Sequence, residues 1–165
     1  INMQIDIGFG DPIYPKPTKN KLPSILDFPA PALYCYSKES AIAEKFEAIF
    51  KLGLLNSRIK DFYDIWILSR QFAFSLSTLS KAVDKTFKQR GTTISKPIAA
   101  FSEEFISSRQ SMWKAFRKRL RQDHLPESFH EIVTSISEFM EPVIKRKTAD
   151  IRWTVKGKWS RYFIS

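Results

Sequence analysis

Residues 37–69 read SKESAIAEKFEAIFKLGLLNSRIKDFYDIWILS, and this stretch predicts two helices joined by a short turn. Apolar side chains recur every three or four residues on one face of each predicted helix, which is the helical period. Ser37 suits the N-cap of the first helix, and Gly53 suits its end. Asn56 or Ser57 would cap the second helix. The rest of the chain is interpreted outward from these two helices.

Three charged residues in this stretch stand out from its ordinary polar surface. Lys45 falls beside the apolar stripe among alanines, which would allow its ammonium group to enter a cleft. Asp61 and Asp64 share one face of the second helix, where two like charges weaken a helix slightly. The pattern leaves a simpler account open: Lys45 extends past the edge of the core, and Asp61 complements the helix dipole.

An alternating segment precedes these helices. Residues 3–9 place apolar side chains on one side and Asp6 on the other, which predicts a half-buried strand. Gly8 leaves space beside Asp6, so this carboxylate could face a metal ion or a nucleotide. An exposed strand aspartate is the alternative, although aspartate is depleted in strands.

A proline-rich connection follows. Residues 10–32 contain six prolines and predict an extended path, with an exposed turn at 17–21 and a short strand at 24–28. Residues 32–36 predict a strand that leads into the first helix.

The chain after residue 69 predicts further helices, which should cover most of residues 70–145. One stripe of apolar residues ends at Gly91, and another runs from Ile98 to Leu120 with a basic outer face. Pro126 is expected to begin a last helix, which Pro142 should bend or end.

Charge is distributed unevenly along the chain. Residues 1–80 hold nine Lys/Arg against eight Asp/Glu, and residues 81–165 hold eighteen against nine, so the halves carry +1 and +9. Such asymmetry indicates a polyanionic partner, although a basic soluble domain explains it equally well. The candidate nucleic-acid-binding residues are Arg117, Lys118, Arg119 and Arg121.

Composition also limits the cellular setting. Cys35 is the only cysteine, so no internal disulfide can form, which is typical of a reducing cytoplasm. No apolar segment approaches the roughly 20 residues that span a bilayer. With two histidines and one cysteine we expect no structural zinc site.

Residues of both early segments resemble the AbiEii-type nucleotidyltransferase toxins of abortive-infection and toxin–antitoxin systems, which act in phage defence. The matching residues are Glu39, Ala43-Glu44-Lys45, Glu47-Ala48, Arg58, Lys60-Asp61 and Tyr63-Asp64. Residues 5–11 also resemble the strand that bears a late active-site carboxylate in that family. The resemblance covers residues 3 to about 70.

This resemblance implies an α+β fold, with a partial nucleotidyltransferase sheet at the N-terminus followed by a mainly helical C-terminal bundle. We expect a remnant of the nucleotidyltransferase core at 1–36, a helical region at 37–145 and a basic-aromatic tail at 146–165. The family's Gly-Ser turn and Asp-x-Asp pair are missing from the sequence. We therefore expect a truncated or partial copy that is inactive alone.

The resemblance also implies chemistry: transfer of a nucleotide from an NTP to an RNA acceptor such as tRNA, with Mg²⁺. Asp6 would be a metal ligand or base, Lys45 would bind the triphosphate, and Asp61 would orient Lys45 or assist catalysis. Arg58, Lys60 and Asp64 would be further nucleotide-binding residues. A DNA-binding antitoxin encoded nearby and a cytoplasmic location are implied as well.

A second hypothesis belongs to a different class of protein. Basic helices and a basic-aromatic tail can bind phosphates and stack on unpaired bases without catalysis. The chain would then be a non-catalytic basic RNA-binding helical module.

Overall fold

The structure is a computed structural model that describes residues 10, 12–24, 27–121 and 125–161. The described helices are α1 (Lys38–Leu52), α2 (Ile59–Gln71), α3 (Leu76–Gln89), α4 (Glu103–Leu120) and α5 (Phe129–Ile144). The described strands are β1 (Thr18–Lys21), β2 (Ala32–Cys35), β3 (Phe74–Ser75), β4 (Ile151–Thr154) and β5 (Lys158–Arg161). The expected α+β class is confirmed, as is the helical character of residues 70–145.

The first helix begins and ends where the sequence indicates. The Ser37 hydroxyl oxygen accepts the backbone N–H of Ser40 at 3.1 Å and so caps α1. Gly53 follows with a φ of 50°, a conformation that glycine adopts with little strain. A short 3₁₀ turn (Gly53–Leu55) then leads toward α2.

The start of α2 differs in detail from the prediction. The residue at the N-cap position is Arg58, and its side chain does not cap the helix. Asn56 instead accepts the backbone N–H of Arg58 through its side-chain oxygen at 2.7 Å. Asn56 therefore shapes the turn one step earlier than a true N-cap would.

The proline-rich connection is more regular than expected. The predicted turn at 17–21 was wrong, because Thr18–Lys21 forms β1 and pairs antiparallel with β2, Thr18 opposite Cys35. β1 is nevertheless exposed along its length. The strand predicted at 24–28 is not seen at Ser24, Asp27 or Phe28, and its other two residues lie outside the described part of the chain. The strand predicted at 3–9 also lies outside the described residues.

The last two helices have different bounds from those expected. A 3₁₀ turn (Ala99–Phe101) precedes α4, so the predicted helix starts late, at Glu103. α5 begins at Phe129, three residues after Pro126, and it ends at Ile144, two residues after Pro142. Ser102 caps α4 by accepting the N–H of Phe105 at 3.2 Å, which explains the later start.

The C-terminal residues form a β-hairpin that packs on the helices. β4 and β5 pair antiparallel, and β4 also pairs with β3 between α2 and α3. Trp153 is 3% exposed and donates its indole N–H to the carbonyl of Ser69 at 2.7 Å. Trp159 donates to the carbonyl of Phe139 at 3.1 Å. Trp153 therefore belongs to the core, and Trp159 is partly buried against it.

The five helices enclose one hydrophobic core that is rich in aromatic side chains. Phe62 lies 5.7 Å from Phe105 and 5.2 Å from Phe129, ring centre to ring centre, so α2, α4 and α5 meet there. Phe46 lies 5.7 Å from Phe87 and joins α1 to α3. Of the helices described, none is long and apolar enough to cross a bilayer.

Candidate functional site

Lys45 projects from α1 toward the first turns of α2, where it contacts two aspartates. Its Nζ lies 2.6 Å from Oδ2 of Asp64 and 3.3 Å from Oδ1 of Asp61. The two carboxylates are one turn apart on α2, so one ammonium group spans both. Their mutual repulsion is thereby offset.

Two more cations complete what we term the Lys45 cluster, which consists of Lys45, Arg58, Lys60, Asp61 and Asp64. Lys60 Nζ lies 2.6 Å from the same Oδ2 of Asp64 that Lys45 contacts. Arg58 Nε lies 2.8 Å from Oδ2 of Asp61, yet that oxygen accepts no hydrogen bond. We interpret this contact as an attraction between charges whose angle is wrong for a hydrogen bond. All five residues proposed from this stretch of sequence thus lie together.

Burial and charge act in opposite directions on the Lys45 ammonium group. Burial lowers the pKa of Lys45, because it disfavours the charged form. The hydrogen bonds and negative charges of Asp64 and Asp61 act in the other direction, and the net effect is a pKa raised above 10.5. The Asp61 side chain is 4% exposed and that of Lys45 is 25% exposed. Lys45 is therefore a fixed positive charge, and the simpler account of a lysine that only passes the core edge does not describe it.

A cleft of about 340 Å³ opens beside Lys45. Ala41 and Ala48 line it, which agrees with the predicted position of Lys45 among alanines. The remaining lining residues are aromatic or charged: Tyr36, Glu44, Lys45, Arg58 and Arg90. Three of the four charged residues that line this cleft are cations, and each of them is paired with a carboxylate: Lys45 with Asp61 and Asp64, Arg58 with Asp61, and Arg90 with Glu47.

Sequence reasoning did not identify Arg90. This residue follows α3, and its Nη1 lies 2.9 Å from Oε2 of Glu47 on α1. The Thr92 hydroxyl donates to Oε1 of the same carboxylate at 2.5 Å. Nothing in the local pattern singles out Arg90, because it looks like an ordinary basic residue at a helix end. The helical pattern placed Glu47 away from the apolar stripe of α1, on the side expected to face water, so its burial was not predicted either.

A second groove of about 400 Å³ lies between the start of α2 and α4. Its lining residues are Ser57, Arg58, Ile59, Lys60, Met112, Ala115, Phe116 and Arg119. Arg58 lines both this groove and the cleft beside Lys45. The two concavities therefore share one cation, and the second offers an apolar floor with basic edges.

The basic residues predicted on α4 do not have equal access to a ligand. Lys118, Arg119 and Arg121 are exposed. The Arg117 side chain is 19% exposed and its Nη1 lies 3.7 Å from Glu127. Arg109, on the predicted basic face, donates to the carbonyls of Asn56 and Leu54, both at 2.8 Å. Arg109 and Arg117 thus serve the fold as well as the charge of the surface.

The predicted metal site cannot be traced in the same way, since Asp6 lies outside the described residues. Within the described ranges, no three histidine, cysteine, aspartate or glutamate side chains group as metal ligands. Asp61 and Asp64 already share the Lys45 ammonium group, which stands where a cation would have to bind. These two carboxylates therefore do not fit a metal site by themselves.

Comparison with known proteins identifies a family. The sequence model of the family described as "Nucleotidyl transferase AbiEii toxin, Type IV TA system" matches residues 1–135. Neither a curated protein nor a solved structure matches the chain. The matched range contains α1, α2 and the whole Lys45 cluster.

Proposed function

Because the chain belongs to the AbiEii nucleotidyltransferase toxin family of type IV toxin–antitoxin systems, we propose that the cleft beside Lys45 holds the NTP. The observation that carries this proposal is the double ion pair of Lys45 with Asp61 and Asp64 at the edge of a mainly cationic cleft. A charged group that is already oriented toward the reacting phosphates lowers the activation barrier more than one that must reorient during the reaction.

Each residue of the Lys45 cluster has a role in this proposal. Lys45 binds the triphosphate and stabilises the charge that develops as the phosphate bond breaks. Asp61 and Asp64 orient the ammonium group and keep it protonated. Arg58 and Lys60 supply further positive charge at the start of α2. Tyr36 provides an aromatic wall against which the base can lie.

The family also implies a divalent metal ion, which neutralises triphosphate charge and activates the attacking oxygen when it is bound. Magnesium prefers oxygen ligands, so Asp6 remains the predicted ligand. Asp61 and Asp64 are assigned to Lys45 instead, because they already share its charge.

The acceptor in this proposal is RNA, such as tRNA. The groove between α2 and α4, which has Arg58 in common with the cleft, would bind the acceptor strand and direct it toward the NTP. Lys60 and Arg119 would then lie near the phosphates of that strand. Apolar contact with Met112 and Phe116 would suit an unpaired base. The exposed residues at the end of α4 would extend this contact along the RNA.

The wider setting follows from the same family. Type IV systems pair a toxin with an antitoxin, so an antitoxin partner is implied. We propose that this antitoxin binds DNA, that its gene lies nearby, and that the pair acts in phage defence in the cytoplasm. No Gly-Ser followed by Asp-x-Asp occurs in residues 1–165, so we propose that these residues alone transfer little or no nucleotide.

The second hypothesis, a non-catalytic RNA-binding module, has less support. It relies on the aromatic rings of the C-terminal residues, but Trp153 is buried in the core and Trp159 is partly buried against it, while Tyr162 and Phe163 lie outside the described residues. It also gives no role to a buried carboxylate that holds a lysine beside a cleft.

The test of the proposal compares Lys45→Met with Lys51→Met in the complete gene product. Both changes remove one ammonium group from α1, but Lys51 is exposed in the last turn. Transfer of labelled nucleotide to total tRNA should fall by about a hundredfold or more in Lys45→Met, the usual effect of losing a group that stabilises transition-state charge. Lys51→Met should match the wild type.

Two results would count against the proposal. One is transfer by Lys45→Met within about threefold of wild type, a change of less than 1 kcal/mol in the barrier. The other is efficient transfer by residues 1–165 alone, which would show that the catalytic carboxylates lie elsewhere.

A further inference from the structure

A groove of about 560 Å³ lies between residues 96–101 and the last turns of α5, and we term it the α5 groove. No described residue lines both the α5 groove and either the cleft beside Lys45 or the groove between α2 and α4. Half of its lining residues lie beyond residue 135, where the family match ends. The α5 groove can therefore serve a partner different from the NTP and its acceptor.

The floor of the α5 groove is apolar. It consists of Pro97, Ile98, Phe101 and Ile144. Ile98, Phe101 and Ile144 pack against the hydrophobic core, but each is only partly buried and keeps some contact with solvent. The volume lies within the range of about 300–1,000 Å³ that is typical of ligand sites. Covering this floor with apolar groups of a partner would remove it from water, which is favourable.

The edge of the α5 groove is positively charged. Glu141 is the one acidic residue among the described lining residues, and it pairs with Lys145. Lys145 is the main cause of the lowered pKa of Glu141, and the charges of Lys147 and Lys96 lower it further. Three lysines thus lie around one carboxylate, which leaves an excess of two positive charges.

Two of these lysines keep their charge available. Lys96 and Lys147 are exposed, and within the described part of the chain neither forms an ion pair. Exposed cations beside an apolar floor match a ligand that carries negative charge next to an apolar group.

We propose that the α5 groove binds an acidic segment of a partner protein. An apolar side chain of that segment lies on the floor, and its carboxylates lie beside Lys96 and Lys147. The groove is open along the surface, so a peptide chain can cross it without entering a closed cavity. Apolar contact supplies most of the affinity, and the charges at the edge select acidic segments over basic ones.

RNA is the competing occupant, because lysines at an edge also attract phosphates. The floor favours the protein segment. Nucleobases stack on planar aromatic rings, but three of the four floor residues are aliphatic or proline. The fourth, Phe101, packs its ring against Phe46, with ring centres 6.5 Å apart.

The probe for this site is a short fluorescein-labelled peptide in which phenylalanine and leucine are flanked by glutamates. One matched peptide has lysines in place of the glutamates, and another has serines in place of the phenylalanine and leucine. Fluorescence anisotropy measures the affinity of each peptide for the complete gene product. The acidic apolar peptide should bind about tenfold more tightly than either matched peptide, because it alone fits both floor and edge.

The double variant Lys96→Met with Lys147→Met removes the two exposed charges and leaves the ion pair at the edge intact. Its affinity for the acidic apolar peptide should fall about fivefold or more, because each exposed ion pair contributes a factor of up to about five. Lys19→Met with Lys21→Met removes the same charge from the exposed strand β1 and should bind the peptide as the wild type does.

Ile144→Gln tests the floor. It should weaken binding of the acidic apolar peptide and leave the affinity for the serine-containing peptide unchanged. Circular dichroism establishes whether this variant folds. If it does not, the double lysine variant still decides, because both of its altered side chains are exposed.

Four results would overturn the proposal. The first is failure of the acidic apolar peptide to bind at about 1 mM, the limit of weak association. The second is equal affinity for all three peptides, and the third is unchanged affinity in the double lysine variant. The fourth is loss of affinity for an unstructured RNA in that variant without any binding of peptide, which would assign the edge of the α5 groove to RNA.

Discussion

Lys45 joins α1 to α2 through its contacts with Asp61 and Asp64. Its position among alanines indicated a cleft, and both the cleft and the alanine lining are present. The resemblance implied that Asp61 orients Lys45, but the helical pattern alone could not predict that Asp64 shares the same ammonium group, because this depends on the angle at which α1 and α2 meet. That angle is set by the packing of Ile42, Phe46 and their neighbours, which a helical pattern does not specify.

Lys45→Met should lower stability in a way that depends on pH. The variant leaves the buried Asp61 with Arg58 alone, and we expect a loss of about 1–3 kcal/mol in the free energy of unfolding. The folded-state pKa of Lys45 is raised, so its contribution is complete below 10.5 and is lost as pH rises through the higher folded-state value. The difference in free energy of unfolding between wild type and variant should therefore stay constant from neutral pH up to 10.5. It should narrow only as pH rises through the raised folded-state pKa of Lys45.

Urea unfolding at a series of pH values measures this difference, with Lys51→Met as the control for general effects of high pH. A difference that already shrinks between about pH 7 and 9 would mean that the pKa of Lys45 is lowered instead of raised. An equal loss in Lys51→Met would remove the special role of the Lys45 cluster in stability.

At the scale of elements, the helices of residues 37–91 could be predicted because their signals are local. Ser37, Gly53 and Gly91 mark ends, and the apolar period of 3.6 marks faces. The start of α2 differs from the predicted cap at Asn56 or Ser57. Asn56 also has a contact outside its own turn, because its backbone carbonyl accepts a hydrogen bond from the Arg109 side chain on α4. A contact between residues so distant in sequence leaves no trace in a local pattern.

The C-terminal hairpin illustrates the opposite case. Lysine and arginine interrupt the apolar residues of 151–161, so this segment was interpreted as a basic-aromatic tail and its two strands were not predicted. β4 pairs along its length with β5 and also with β3, which is far away in the chain. Trp153 lies at that junction, 4.9 Å from the Phe139 ring centre.

Trp153→Ala should therefore destabilise the whole fold. We expect a loss of about 3–5 kcal/mol, the usual cost of truncating a buried aromatic side chain, together with loss of the hydrogen bond to Ser69. Val155→Ala at the exposed turn of the same hairpin is the control and should stay within about 0.5 kcal/mol. Thermal unfolding of the two variants measures this, and similar small effects in both would mean that residues 151–161 are a dispensable tail.

At the scale of the molecule, the excess of positive charge in the second half of the chain could be predicted from the sequence. Which of these charges a ligand can reach could not be predicted. Part of the +9 of the second half is occupied within the fold, since Arg90 pairs with Glu47, Arg109 binds backbone carbonyls, and Lys145 pairs with Glu141. The exposed positive charge at the end of α4 lies beside the groove that Arg58 shares with the cleft. This is the surface on which binding of RNA should depend.

The double variant Lys118→Ala with Arg119→Ala tests that surface in the complete gene product. We expect its affinity for an unstructured 20-nucleotide RNA to fall, and the slope of log affinity against log salt to decrease by about 1.4, because each neutralised phosphate on a single strand contributes about 0.7. Lys19→Ala with Lys21→Ala removes the same charge from the exposed strand β1 and should leave the slope unchanged. Fluorescence anisotropy over a range of salt concentrations gives both quantities. Equal losses of RNA affinity in the two variants would indicate that RNA is attracted by the overall charge and not by a particular surface. Absence of binding at low salt would reject an RNA partner for this half of the chain.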